Sequence, residues 1–391
     1  MKIGYFSEKF PYSSLKNEFA IYPYGGGEIV AYYLAINIAK RGHNVYVFTT
    51  SVNSKSNIER RWGINICRYG TLLRVFRRNI SFSLLFKPNT NVDIVHAHIC
   101  SEPFSLIAAL RFAKRIKAPL IVTYHGDTIA SKNIPHYIAV NFHNTIVKKI
   151  LEFAKIIIVP SRYYVEESKF LRKYRDKIIE IPNGIDIEKF SIPYSKDKCR
   201  EILNLPKDKF IILFLGTLHP RKGPDVLLRA MPMIIKDNPN VKLIIVGDGV
   251  MKAELKRLCK KLGIEKYVKF VGFIEESLKP FYYKSADIFC LPSVMKTEVF
   301  PVVLLEASAT GLPIVVSDLN TFKCIIKEGY NGVFFRKGDE KDLANAIIYL
   351  LENEEIRKKM SKNAKKHVKN YTWEKIAEIT EKAYREVIEN R

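Results

Sequence analysis

The chain has 391 residues, 47% of them hydrophobic, 12% aromatic and 27% charged, a balance that excludes disorder as the main state and a length that favours two domains over one. No apolar run approaches the ~20 residues that span a bilayer, and the opening MKIGYFSEKFPY lacks the long apolar core and small-residue cleavage site of a secretory signal, so a protein neither secreted by that route nor membrane-spanning is expected. Lys and Arg number 64 against 40 Asp and Glu, a net charge of +24 that attracts nucleic acid, an acidic lipid surface or phosphorylated small molecules.

In chain order, short Val/Ile-rich runs bounded by turn residues alternate with longer helical patterns, the rhythm of α/β domains with parallel sheets covered on both faces. A first series of strands is expected at Lys2–Ser7, Asn44–Thr50, Asp93–Ile99, Pro119–His125, Lys155–Ser161 and Lys177–Ile181. A second follows at Phe210–Leu218, Val241–Gly247, Val268–Phe273, Ala286–Pro292, Pro313–Asp318 and Gly332–Phe335. Two doubly wound domains follow, joined near Ile185–Ser191. The tail reads as helices at Asp339–Glu352, Glu355–Lys369 and, after the start signal Tyr371-Thr372-Trp373-Glu374, a last one to about Asn390. In the last of these Ile376, Ile379, Thr380, Ala383 and Val387 recur at helical spacing and define a stripe that needs a surface to cover. Residues 1–180 hold 27 basic and 12 acidic residues, making the first half the more basic. The six cysteines are scattered, with no Cys-x-x-Cys or Cys/His pair at metal-ligand spacing, and they read as free thiols in a reducing compartment, so a cytoplasmic protein is expected.

Ligands of open α/β sheets bind beyond the carboxyl ends of the strands, so the residues just after each strand carry the functional reading. Tyr24-Gly25-Gly26-Gly27-Glu28 opens the first helix, where glycines let backbone N–H groups approach a phosphate or an acceptor. It lacks the G-x-G-x-x-G spacing of a dinucleotide fingerprint, and a plain turn is the alternative. Leu72, Leu73, Val75, Phe76 and Ile80 fall opposite Arg74, Arg77 and Arg78 on a helical wheel, a basic amphipathic stretch that covers its own sheet or lies on an anionic membrane. His96 and His98 share a strand face, and packing is expected of both. His125 ends its strand at the sheet edge, where a lone histidine is either structural or part of a site.

In the second domain the loop Thr217-Leu218-His219-Pro220-Arg221-Lys222-Gly223-Pro224 offers adjacent cations for a diphosphate, surface charge being the alternative. The strongest feature is Glu298-Val-Phe-Pro-Val-Val-Leu-Leu-Glu306. Pro301 is expected in the first helical turn, leaving the N–H groups of Val302 and Val303 free for phosphate oxygens. Glu298 either caps that helix or reaches a ligand, and Glu306, in an otherwise apolar helix, calls for a polar ligand if burial leaves it without a partner.

Taken together, GGGE, TYHGD, VPS, IPNGID, the R-K-G loop, E-x7-E within EVFPVVLLEASATGLPIVVSD, EGYNGV and the closing YTWEKIAE resemble family 4 glycosyltransferases over nearly the whole chain. The resemblance implies two Rossmann-like domains facing a cleft, the GT-B architecture, with residues 1–186 on the acceptor side, 187–371 binding the nucleotide sugar, and the C-terminal helices crossing back so that 372–391 join the first domain. It implies that Glu306 holds the donor ribose, that Glu298 holds the transferred sugar, and that Lys222 and the amides after Phe300, those of Val302 and Val303 beyond Pro301, neutralise the diphosphate. Gly26 and Gly27 then approach the donor phosphates or the acceptor, His125 touches the donor sugar, and Phe270 to Phe273 forms the base-binding turn. Three departures stand out. Thr217 replaces a usual Arg, with Arg221 as its substitute; Val299 replaces a small residue and narrows the sugar pocket; and LNTFKCIIKEG after Asp318 lacks the usual Gly-Gly and Glu.

The expected reaction is retaining transfer from a nucleoside-diphosphate sugar to a hydroxyl of a glycan or lipid-linked glycan, by front-face displacement with no metal or other cofactor. An anionic membrane surface at the inner face of the cell membrane is a further expected partner. Nucleic acid is not, since aromatic RNA-recognition signatures, zinc spacing and a basic tail are missing. The alternatives are a catalytically inactive nucleotide-sugar-binding protein and a basic nucleic-acid-binding protein.

Overall fold

The structure, a computed structural model, describes residues 1–12, 25–75, 78–100, 103–128 and 134–390. Tyr24, Phe76 and Arg77 lie outside the described residues. The chain divides into two compact units, Met1–Gly184 with Trp373–Arg391, and Ile185–Thr372.

The first unit contains β1 (Lys2–Phe6), β2 (Asn44–Thr50), β3 (Asn57–Arg61), β4 (Ile64–Tyr69), β5 (Leu73–Val75), β6 (Arg78–Ile80), β7 (Ile94–Ile99), β8 (Leu120–Tyr124), β9 (Ile156–Val159) and β10 (Ile178–Glu180). Eight of them form one sheet in the order β10-β9-β8-β7-β1-β2-β4-β3, parallel except for the β3–β4 pair. Helices α1 (Gly26–Lys40), α2 (Phe104–Ile116) and α3 (Ile134–Phe153) connect strands within it. Because both faces are covered, the central strands are apolar throughout: every residue of IVHAHI and of LIVTY is buried. β3 and β4 escaped the sequence reading because charged residues interrupt them (NIERR, INICRY) at the outer end of the sheet.

Leu73–Val75 and Arg78–Ile80 do not form the amphipathic helix expected but pair as antiparallel strands, β5 on β6, with Leu73 opposite Ile80. Tertiary bonds draw it out. The amide of Asn79 donates to Glu8 Oε1 at 2.7 Å, the Arg78 guanidinium approaches Glu8 Oε2 at 3.3 Å, and Arg74 donates to the Val52 carbonyl at 2.5 Å. A wheel drawn on nine residues cannot weigh a buried carboxylate seventy positions away.

The C-terminal helix Trp373–Glu389 supplies the covering stripe. Trp373 stacks on Tyr33 of α1 with ring centroids 5.3 Å apart, and Ile376, Ala377, Ala383 and Tyr384 are buried in the core built by β1, β2 and α1. A Cβ on Gly184 would fall 2.5 Å from the Trp373 ring, so only glycine lets the chain pass there. Ile379 departs from expectation: it stays exposed, and Ala377 and Tyr384 occupy the buried face instead.

The second unit holds β11 (Phe210–Leu215), β12 (Val241–Val246), β13 (Val268–Gly272), β14 (Ile288–Leu291), β15 (Ile314–Ser317) and β16 (Gly332–Phe335), all parallel, in the order β13-β12-β11-β14-β15-β16. Among its helices are α4 (Pro224–Asp237), α5 (Lys279–Ser285), α6 (Val302–Thr310), α7 (Glu340–Glu352) and α8 (Glu354–Val368). Strand order reverses direction on either side of β11 and β14, and in the first unit on either side of β1 and β7. The loops leaving those strands therefore part at a switch point, the place where such sheets receive ligands.

Candidate active site

In the first unit three chain segments converge beyond the strand ends: the start of α1, the end of β7 and the end of β8. Gly25 is the N-cap of α1, its amide donating to Glu28 Oε2 at 3.0 Å. A Cβ on Gly27 would lie 2.6 Å from Cys100 Sγ and 3.0 Å from the His125 ring, whereas one on Gly26 would meet nothing within 4 Å. Close approach thus requires glycine at 27 but not at 26.

His125 follows β8 directly, and its Nε2 lies 3.0 Å from Nδ1 of His98 on β7. Burial holds the His125 imidazole at about 4, so it is neutral at physiological pH. His96 packs as expected, its two nitrogens taken by Tyr384 Oη at 2.6 Å and Thr123 Oγ1 at 2.8 Å. His98 does not merely pack, since it bonds to a residue of the candidate site. Alternation showed their common face; only the adjacency of β7 and β8, pairing His98 with Thr123, placed His98 beside His125. Asp127 is committed to structure, accepting from Tyr124 Oη, Ser168 Oγ and the Lys169 amide at 2.6, 2.7 and 2.9 Å.

In the second unit the loops after β11 and β14 are joined. Gly223 sits at φ +60°, and a Cβ there would come 2.1 Å from the Pro292 carbonyl; the Val294 amide donates to the Arg221 carbonyl at 2.9 Å. His219 caps the short turn Pro220–Lys222, its Nδ1 accepting from the Arg221 amide. This geometry brings Lys222 Nζ to 2.5 Å from Glu298 Oε2 and Arg221 Nε to 3.3 Å from Glu298 Oε1. Lys222 and Glu298 are both buried, while Arg221 is partly exposed. Glu298 therefore neither caps the helix nor stands alone: one carboxylate is shared by two cations.

The head of α6 differs by one position from expectation. Pro301 is the N-cap, in extended conformation, and Val302 is the first helical residue, because the missing proline N–H costs nothing outside the helix. The amides of Val302 and Val303 still lie in the first turn, where no intrahelical carbonyl is available. The side chain of Phe300 is buried beside Tyr371, their ring centroids 6.1 Å apart.

Glu306 corrects the sequence argument, for it has protein partners. Oε2 accepts from Tyr283 Oη at 2.7 Å and Oε1 lies 3.4 Å from Lys279 Nζ. Lys279 and Tyr283 belong to α5, more than twenty residues upstream, and neither the periodicity nor any motif marked them. Burial opposes the charge on Lys279, but the carboxylates of Glu306 and Glu276 overcome it and hold its pKa above the usual value. Phe273 follows Gly272, at φ +91°, at the end of the edge strand β13, and its ring is 62% exposed.

Residues 24–189 match the family model described as Glycosyltransferase Family 4, and residues 195–367 match that described as Glycosyl transferases group 1. An uncharacterised glycosyltransferase of Methanocaldococcus jannaschii is 30% identical over 93% of this chain and 95% of its own length. A phosphatidyl-myo-inositol mannosyltransferase of Mycobacterium leprae is 29% identical over 75% of this chain and 74% of its own. Among solved structures, HepE of Anabaena in complex with UDP-glucose superposes with a TM-score of 0.73 at 20% identity, covering 99% of this chain and 100% of that one.

Proposed function

The chain belongs to glycosyltransferase family 4, and from that premise we propose that it moves a sugar from a nucleoside diphosphate to a hydroxyl of a glycan or lipid-linked acceptor with retention of anomeric configuration. The observation that carries the reading is the pair of cations at the switch point, Lys222 and Arg221, held on the single carboxylate of Glu298 beside the head of α6. Two cations and two first-turn amides form a positive field that a diphosphate complements and one carboxylate only half satisfies.

On this reading the diphosphate takes the place of the Glu298 oxygens on Lys222 and Arg221, with further hydrogen bonds from Val302 and Val303. Glu298, displaced, accepts from the sugar hydroxyls. Glu306, oriented by Tyr283 and Lys279, accepts from the ribose, and Phe273 stacks on the base. His125 and the glycines at 26 and 27 serve the sugar and the donor phosphates or the acceptor. The bond from the anomeric carbon to the phosphate oxygen breaks first, its electrons going to the diphosphate, where Lys222, Arg221 and the amides stabilise the developing charge. The acceptor oxygen attacks the same face, and its proton passes to the departing phosphate oxygen. The positive charge this needs is already supplied by side chains, so no metal is invoked.

The named activity of the mycobacterial relative supports a lipid-linked acceptor. Among the described residues no helix is long and apolar enough to cross a membrane. The surface proposed to meet an anionic bilayer is instead α3, where Ile134, Tyr137, Ile138 and Phe142 are exposed along one face that continues into the exposed Lys148 and Lys149. A panel of UDP-, GDP- and ADP-sugars screened by thermal shift identifies the donor, and NMR of the product reads the anomeric configuration. Retention is expected; an inverted centre overturns the displacement mechanism. A nucleotide-sugar-binding protein without catalysis predicts donor stabilisation but no turnover with any acceptor.

A further inference from the structure

The buried imidazoles of the first unit form an ordered array, and the hydrogen bond between two of them has only one proton to share. His98 Nδ1 and His125 Nε2 are 3.0 Å apart with near-parallel rings, 15° between planes. A neutral imidazole offers one donor and one acceptor. Either His98 donates from Nδ1, or His125 donates from Nε2.

The surroundings of His98 decide between them. Its other nitrogen, Nε2, is buried with no hydrogen-bond partner among the described residues. The rings stacked on it have their polar atoms engaged elsewhere: Tyr5 Oη with Tyr384 Oη at 2.7 Å, and His96 with Tyr384 and Thr123. If His125 were the donor, neutral His98 would carry its proton on Nε2, a buried N–H with nothing to accept it. If His98 is the donor, Nε2 bears only a lone pair, and buried donors are left unmatched more rarely than buried acceptors. A doubly protonated His98 is excluded by burial, reinforced by its imidazole neighbours His96 and His125, which hold it well below the usual histidine range.

We propose that His98 is a positioning residue that donates its Nδ1–H to His125 Nε2, fixing His125 as the Nδ1–H tautomer and making Nδ1 its hydrogen-bond donor toward the substrate. The substrate side of this statement rests on the function proposed above; the tautomer does not. With Nε2 occupied, His125 is a poor general base at that nitrogen and a good neutral donor to a sugar oxygen through the other. The same bond sets the ring orientation against Gly27, whose missing Cβ leaves room for it.

The test uses the full chain labelled with ¹⁵N-histidine, its ring nitrogens assigned by single His replacements and read by long-range ¹H–¹⁵N correlation at neutral pH. Expected are His125 and His98 both protonated on Nδ1 and bare on Nε2. In His98→Leu the His125 nitrogens should shift toward a tautomer mixture, with kcat falling about 10–100-fold, the range for groups that orient a functional side chain, and the donor KM staying within about twofold. His98→Asn, which places an amide N–H near the original Nδ1, should restore the tautomer and most of kcat. A wild-type spectrum with His125 protonated on Nε2 overturns the proposal, as does a His98→Leu chain whose His125 keeps its tautomer. Failure to transfer sugar from any donor would instead count against the proposed reaction, because the nitrogen spectrum requires no substrate.

Discussion

At the scale of single residues, Glu298 has opposite consequences for binding and for turnover. It neutralises Lys222 and Arg221 when no ligand is bound, and so competes with the diphosphate that would replace it. Glu298→Gln removes that competition while removing the carboxylate proposed to hold the sugar. Calorimetry with UDP, GDP and ADP alone should show tighter binding of the cognate nucleotide than in the wild type, and steady-state assays should show kcat lowered by about 10²-fold. Weaker nucleotide binding would mean that the carboxylate is not displaced. The histidines make a separate prediction. Burial depresses His125 to about 4 and His96 to about 3, against 6.5 for a free imidazole. As the pH falls the unfolded chain takes up these protons first, so stability present above about pH 6.5 is lost progressively toward pH 4 for His125 and toward pH 3 for His96. Melting temperatures measured across that window should fall with acidification, and His125→Asn should flatten the slope.

At the scale of elements, the proposed membrane contact moves from the stretch the sequence singled out, β5 and β6, to the helix α3. Within the basic wheel, β5 and β6 are paired strands tied to Glu8, whereas α3 carries an apolar stripe that finds no cover within the described residues of its own unit. Flotation with vesicles containing anionic lipid should therefore be reduced several-fold by Ile134→Ser, Ile138→Ser and Phe142→Ser together, and little changed by Arg74→Gln and Arg78→Gln. The reverse outcome would restore the hairpin as the contact. The C-terminal helix illustrates the contrary case, in which periodicity was sufficient: a strong apolar stripe demanded a partner, and α1 with Tyr33 provides it. Only Ile379 strayed, since a stripe of about 100° on a helix leaves its margin to local packing.

At the scale of the whole molecule, two cores are built on two switch points, and the donor site is proposed at the second, a placement that ligand binding should report. Saturating nucleotide sugar, at about 100 times its Kd, stabilises the state that binds it by about 2.7 kcal/mol. Hydrogen exchange should then slow at residues 217–223 and 292–303 of the second unit, and unchanged exchange there would overturn the assignment of the donor site. The amino-acid sequence alone determined the α/β class, most strands of both sheets, and the identity of Lys222, Glu298, Gly27 and His125 as residues worth reading, because buried parallel strands are apolar end to end and their ligands sit just past them. Only the tertiary structure decided which of those residues meet. Lys222 finds Glu298 across 76 positions, Glu306 finds Tyr283 and Lys279 on another helix, and His98 reaches His125 across a strand pair. Periodicity is a property of neighbours along the chain, whereas a hydrogen bond between strand ends depends on sheet order, which no local pattern encodes.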